Sequence, residues 1–247
     1  MSGRGWALVT GAARRIGRAL ALSAAGAGYD VVIHHRASAA DAEETAQAVR
    51  ALGRQANLSD GDLAHPDHLA ALMADAPGLT LLVNSASLFS DDRIESLDAA
   101  GFDEHMAINL RAPILLAQAF AAALPADQTG QIVNVVDQRV LRSTPHFFSY
   151  AVSKHALWAA TRMLAQALAP RIRVNAIGPG PTLASIHQSP EDFAAEAAAV
   201  PLGHGASPEE IGQALAYLID AKSVTGQMIA VDGGQHLAWR TPDVIDP

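Results

Sequence analysis

Tyr150-Ala-Val-Ser-Lys154 sets a phenol and an ammonium four residues apart, a spacing that puts both on one face of a helix. A cation beside a tyrosine favours the phenolate and draws its pKa toward neutrality. That makes a proton donor for a substrate that has just accepted hydride. Asp137 lies thirteen residues earlier. A carboxylate there would repel the oxyanion that develops when a ketone is reduced. Reduction of a C=N bond is different, because its nitrogen must gain a proton and a carboxyl group can relay one. The plainer alternatives are surface decoration for Tyr-x-x-x-Lys and a cap on the next turn for Asp137, so the surroundings must decide.

Those surroundings begin with Thr10-Gly11-Ala12-Ala13-Arg14-Arg15-Ile16-Gly17, a tight turn after an apolar run and before a helical one. Glycine at 11 permits positive φ, and Gly17 lets the helix approach the sheet, so backbone N–H groups can meet a pyrophosphate. Where a second strand ends, an NAD site usually places an acid against the ribose diol. Here the chain reads His34-His35-Arg36-Ala37-Ser38, with no acid until Asp41. Together with Arg14 and Arg15 this is a basic pocket suited to a 2′-phosphate, and it predicts NADPH/NADP as cofactor. Asp62-Leu63 and Asn84-Ser85-Ala86-Ser87 fall at further strand ends, where such sheets bind ligands. Pro113 has no N–H, which frees the carbonyl of Asn109 to hold a water reaching Lys154, or else merely kinks the helix.

The elements that must position these groups are legible as alternation. Strands are predicted at Trp6–Thr10, Val31–His34, Leu79–Asn84, Gln131–Val136, Arg173–Ala176 and Met228–Val231, with a weaker one near Gln55–Leu58. Between them fall helices at about Ile16–Ala27, Ala39–Leu52, Pro66–Asp75, Phe102–Ala123, Tyr150–Leu168 and Pro208–Ala221. This implies an α/β chain with a parallel sheet covered on both faces, a single doubly wound Rossmann-type domain over 1–247. The stretch 179–205 holds four prolines and little strand signal, so it is expected to be a mobile segment over the site. Leu183, Ile186, His187 and His204 read as loop residues there, within reach of a substrate. Residues 238–247 are expected to form a tail.

Composition narrows the class. The 247 residues are half hydrophobic, and 25 acids against 17 bases give a net charge of −8. That balance argues against a nucleic-acid or anionic-membrane surface. With no cysteine, a disulfide framework and a thiolate metal site are excluded. The ten histidines show no spacing suited to a metal, so none is expected. No signal-peptide pattern follows Met1, and each apolar stretch is interrupted by Arg, Asp, Gly or Pro, so no membrane span is expected and a cytoplasmic enzyme is the plain reading.

Taken together, Thr10-Gly11 through Gly17, Asp62, Asn84-Ser85-Ala86, Asn109, Tyr150/Lys154, Gly178-Pro179-Gly180 and Val231-Asp232-Gly233-Gly234 make the chain resemble a short-chain dehydrogenase/reductase over nearly its whole length. The resemblance implies a seven-stranded sheet, a homotetramer, and hydride delivered from nicotinamide. It implies cofactor contacts at Gly11, Arg14, Arg15, Ile16, Gly17, His35, Arg36, Ser38, Asp62, Leu63, Asn84, Ser85, Ala86, Tyr150, Lys154, Pro179 and Gly180. Asn109, Tyr150 and Lys154 would be catalytic.

Two departures point to a branch. Arg15 stands where most members have a third glycine, and Asn84-Ser85-Ala86-Ser87 replaces the commoner Asn-Asn-Ala-Gly. With Asn-Ser-Ala-Ser-Leu-Phe and Asp137 in place of the usual serine, the pattern is similar to pteridine reductases and dihydromonapterin reductases. That similarity implies a small-molecule partner, a pterin or folate, stacked on Phe89 and met by Arg15, Ser87, Asp137 and Tyr150. Asp137 would then share a proton relay with Tyr150 and Lys154. The competing expectations are a reductase of another carbonyl, such as a 3-oxoacyl thioester or a sugar, and a regulator that binds NADPH without turnover.

Overall fold

The computed structural model describes residues 3–185 and 188–239. Seven parallel strands form one sheet: β1 (Trp6–Val9), β2 (Asp30–His35), β3 (Ala56–Asp60), β4 (Leu79–Asn84), β5 (Gly130–Val135), β6 (Ile172–Pro179) and β7 (Met228–Val231). Their order is β3-β2-β1-β4-β5-β6-β7. The chain winds outward from β1 to β3, then returns to the other side of β1 for β4. This reversal opens a crevice at the carboxyl ends of β1 and β4, the place where open α/β sheets bind ligands.

The strands are continuous apolar runs because both faces of the sheet are covered. On one face lie α1 (Arg15–Gly26), α2 (Ala39–Ala51) and α8 (Pro208–Asp220). Leu20, Ala46, Ile211 and Leu215 there bury against Val9 and Ile33 of the strands. On the other face, α3 (Pro66–Ala74), α5 (Ala112–Ala123) and α6 (Phe148–Leu168) pack Leu72, Leu116, Phe120 and Ala165 onto Leu8, Leu82 and Ile132. Each of these side chains is essentially removed from water, worth about 1.5–3 kcal/mol apiece for the larger ones. Local signals agree with the packing at α8, where Ser207 and Glu210 form a reciprocal cap and Pro208 opens the first turn.

Three expectations are corrected. The single helix expected over Phe102–Ala123 starts at Ala99 and is divided into α4 (Ala99–Met106), a π-helical turn (Ala107–Arg111) and α5. At that turn the Ala112 N–H reaches back five residues to the Ala107 carbonyl, and Pro113 follows without a donor. By length and composition this run of helix is apolar enough to cross a membrane, contrary to the expectation of no such stretch. In the fold its apolar face is taken by the sheet through Ala112, Leu116 and Phe120. Second, β6 runs on to Pro179 instead of stopping at Ala176.

Third, the stretch 179–205 contains a helix, α7 (Pro190–Ala198). Ser189 caps it and Pro190, Glu191 and Asp192 occupy its first turn, all recognisable start signals. Ile186 and His187, and most of the expected tail from 240 on, lie outside the described residues.

Candidate active site

The crevice is built first by the loop after β1. The Thr10 hydroxyl accepts the N–H groups of Ser85 and Ala86, both at 3.0 Å, which stitches the ends of β1 and β4 together. Gly11 has φ +65°, and a Cβ on it would lie 2.9 Å from the Ala86 Cα. A Cβ on Gly17 would lie 2.1 Å from the Gly11 carbonyl oxygen, so the helix can sit this close only because the side chain is missing. The Gly11 N–H donates to His34 Nδ1 at 3.1 Å, which leaves Nε2 to donate to the Gly61 carbonyl at 2.9 Å. His34 is therefore a neutral bridge between two loops, and burial lowers its pKa.

Around this loop runs a groove of about 490 Å³. Its lining brings together Gly11, Arg14, Arg15, Ile16, Gly17, His35, Arg36, Ser38, Asp62, Leu63, Ser85, Ala86, Ser87 and Tyr150. A cradle of bare backbone at one end and cations at the other fits a phosphorylated dinucleotide. The cations are partly matched from within: Arg14 lies 3.6 Å from Asp41 and Arg36 lies 3.3 Å from Asp62. The Asp62 carboxyl is held below its ordinary value by the Ala64 N–H first, and by Arg36.

Four expected cofactor residues do not line this groove. Asn84 is buried and gives its amide to Asn134 at 2.8 Å, and Asn134 continues the chain to Thr161 at 2.9 Å. Lys154, also buried, donates to the Val135 carbonyl at 2.8 Å. Pro179 and Gly180 line a second cavity beside the groove.

Where the two spaces meet, Tyr150 Oη donates to Asp137 Oδ2 at 2.8 Å. Asp137 does two things at once. Its Oδ1 caps the short 3-10 turn Gln138–Val140 by accepting the Arg139 N–H at 2.8 Å, while Oδ2 takes Tyr150 and faces Arg139 Nη1 at 3.4 Å. The expected lowering of the Tyr150 pKa is reversed. Burial, then the charge and hydrogen bond of Asp137, push it well above 10. Lys154 Nζ lies 5.6 Å from the tyrosine ring centroid, too far to counter a carboxylate in contact. Burial lowers the Lys154 pKa to about 8, with Asp137 opposing part of that drop.

Asn109 sits on the π-helical turn, and its side chain is fully engaged. Oδ1 accepts from the Leu88 N–H at 2.8 Å, and Nδ2 donates to the Leu88 carbonyl and to Ser153 Oγ, both at 3.0 Å. One amide thus ties the Ser87–Phe89 loop to α6. Phe89 stacks on Phe147, centroids 4.6 Å apart, and meets Tyr150 edge-on at 4.8 Å. Arg139 lies 5.5 Å over the other ring of that stack, Phe147, whose backbone is left-handed at φ +54°.

The second cavity, about 300 Å³, is lined by Phe89, Asp137, Arg139, Phe147, Leu183, Phe193, Glu196 and Gln235 besides Pro179 and Gly180. Arg15, in the wall of the groove, donates to the carbonyls of Leu183, a lining residue of this cavity, at 3.2 Å and of Ala184 at 2.9 Å. The His204 side chain, by contrast, is exposed and among the described residues hydrogen-bonds only the adjacent Gly205 carbonyl.

Sequence patterns did not single out Asp92, Arg139 or Phe147 as site residues, and placed His34 only within a basic stretch, not as a neutral bridge. A strand-end histidine following the phosphate loop is a usable signal for His34. The other three act through contacts made only when distant segments meet.

A doubly wound sheet whose crevice joins a glycine-built nucleotide groove to a buried tyrosine and lysine defines a single-domain reductase. The chain belongs to the short-chain dehydrogenase/reductase family, and residues 11–236 match the family model described as enoyl-(acyl carrier protein) reductase. It is 46% identical to the FolM alternative dihydrofolate reductase 1 of Brucella canis, solved in complex with NADP, at a TM-score of 0.94 with 99% of each chain covered. An uncharacterized oxidoreductase of Mycobacterium tuberculosis is 33% identical over 92% of this chain and 90% of that protein. The 3-oxoacyl-[acyl-carrier-protein] reductase of Staphylococcus aureus is 28% identical over 94% of this chain and 98% of that protein.

Proposed function

We propose that this enzyme reduces a C=N bond of a 7,8-dihydropterin or dihydrofolate to the tetrahydro form with NADPH. The observation that carries the reading is the 2.8 Å hydrogen bond from Tyr150 to Asp137. A carboxylate touching the phenol opposes the phenolate, the species left behind when tyrosine protonates an alkoxide. The same carboxylate stabilises positive charge, so it favours a ring nitrogen that is protonated or strongly hydrogen-bonded as its carbon becomes electrophilic. The loop from Gly11 to Gly17, with Arg14 and Arg36, would hold NADPH, which would supply the hydride.

Tyr150 and Asp137 then hold the proton that the nitrogen takes, with Arg139 and buried Lys154 balancing the carboxylate. Phe89 offers an aromatic surface at the junction of groove and cavity, worth about 1 kcal/mol for a stacked flat ring. The 46% identity to a protein named as an alternative dihydrofolate reductase supports the reading.

Replacing Asp137 by serine and by alanine tests it. NADPH-dependent turnover of 7,8-dihydropterins should fall in both, by roughly 10²–10⁴-fold, the usual worth of a placed acid or base. Undiminished turnover in both variants would remove Asp137 from the chemistry. The second reading, a 3-oxoacyl reductase, draws on the Staphylococcus aureus relative. It predicts instead that serine at 137 raises 3-oxoacyl thioester reduction above that of an already active parent.

A further inference from the structure

We infer that the end of the sheet opposite the active site holds a second binding site, for a small, multiply charged oxyanion. A cavity of about 830 Å³ opens there among the first residues of the strands, and Arg4, Arg171, Arg173 and Lys222 line it. Among the described residues Asp220 is its one carboxylate, so these lining groups carry an excess of three positive charges in a chain whose net charge is −8. In a concave, partly dry space such an excess concentrates field and attracts anions.

How these cations are held explains why the charge is available. Arg4 pairs with Asp220 at 2.8 Å. Arg173 donates to the carbonyls of Leu218, Ile219, Ala221 and Val224, closing the end of α8, and Arg171 donates to the carbonyls of Leu124 and Pro125 after α5. Carbonyls fix the geometry of a guanidinium but do not neutralise it. Lys222 is exposed, and its ammonium has no partner among the described residues.

Gln131 Nε2 and Arg171 Nε are buried without an acceptor among the described residues, and both belong to residues lining the cavity. Gln131 as a whole is 4% exposed. Such orphans are costly and few in native proteins. Both are donors, so what the cavity lacks is acceptors. An oxyanion supplies acceptor oxygens and negative charge together, and the hydroxyls of Tyr29 and Thr129 on the cavity wall add two adaptable partners.

This site is separate from the catalytic crevice. β5 begins at Gly130 in the cavity and ends at Val135, two residues before Asp137. Six residues of strand span about 20 Å.

The test is calorimetric titration of the enzyme already saturated with NADP⁺, so that the phosphate cradle at Gly11 to Gly17 is filled. Pyrophosphate and citrate are titrated separately at fixed ionic strength, which distinguishes a phosphate guest from a polycarboxylate. Saturable binding of at least one is expected. Lys222→Glu, at an exposed side chain without partners, should weaken it at least tenfold and leave reductase turnover unchanged. Arg171→Gln should weaken it as well, and Arg14→Glu, in the cofactor groove, should not. Absence of saturable binding, or equal affinity in Lys222→Glu, would overturn the site. So would displacement of the anion by NADP⁺, since the anion would then belong to the cofactor groove.

Discussion

The carboxylate of Asp92 accepts the backbone N–H of Ser149 at 3.1 and 3.3 Å and also a hydrogen bond from its hydroxyl, while the Asp92 carbonyl accepts the Phe148 N–H at 3.1 Å. The helix that carries Tyr150 and Lys154 has no side-chain cap of its own, because Phe147 occupies that position. Asp92, 57 residues away, does the capping from the loop that carries Phe89. Asn109 grips the same loop at Leu88, so the aromatic surface and Tyr150 are held as one unit.

Asp92→Ala should therefore act on both stability and rate. The N–H and hydroxyl of Ser149, a fully buried residue, would lose their acceptor, a cost of about 1–3 kcal/mol measurable by denaturant unfolding. Turnover should fall while NADPH affinity stays nearly constant, because the phosphate loop is untouched. Asp92→Asn, which keeps one acceptor oxygen, should recover part of the loss.

Asp137→Asn should move two titrations in the same direction. The carboxylate raises the Tyr150 pKa by charge and hydrogen bond, so neutralising it should lower that pKa. It also holds up the Lys154 pKa, so the lysine should drop further below its present value of about 8. Tyrosinate absorbance follows the first in a chain with three tyrosines, and side-chain nitrogen resonances follow the second. An unchanged tyrosine titration would sever Asp137 from the electrostatics of the site.

Tyr150→Phe removes the hydroxyl and leaves the ring that touches Phe89 edge-on. The chemical step should fall by at least 10²-fold. NADPH binding, followed by fluorescence, should change no more than a few-fold. A fully active variant would refute the catalytic assignment.

Gly17→Ala should separate cofactor binding from folding. The new methyl would meet the Gly11 carbonyl at 2.1 Å, and backbone cannot yield as a side-chain tip can. A loss of about 1–3 kcal/mol of stability is expected for such overpacking. Loss of NADPH affinity should exceed that, since the loop that moves is the cradle itself. Equal affinity for parent and variant would place the pyrophosphate elsewhere.

His34 gives the protein an acid limb. Its folded pKa is lowered from the ordinary 6.5 by burial, so the folded state prefers the neutral ring. Its contribution is fully present above 6.5 and is lost as pH falls from there through the folded value. Protonation also removes the acceptor for the Gly11 N–H, so NADPH affinity should weaken over the same window. His34→Gln, neutral throughout, should flatten the pH dependence of both unfolding and binding.

Much of this protein was readable along the chain. Apolar runs such as Val31-Val32-Ile33, bounded by turn residues, identify buried parallel strands because a doubly covered sheet leaves neither face to water. Gly11 and Gly17 announce the tight turn between β1 and α1 because only glycine tolerates that backbone and that contact. Tyr150, Lys154 and Asp137 are legible by type and spacing, since one helix and one strand end set their relation.

What the tertiary structure alone decided lies in contacts between segments far apart in sequence. The helix start at Asp92–Ser149, the stack of Phe89 on Phe147, and the reach of Arg15 to Ala184 each join loops whose own residues carry no periodic pattern. The direction of the Tyr150 pKa belongs with them. Spacing placed a lysine four residues away. Folding turned its ammonium to the Val135 carbonyl, buried the phenol and set a carboxylate against it, and in a low-dielectric interior the group in contact outweighs the neighbour along the helix.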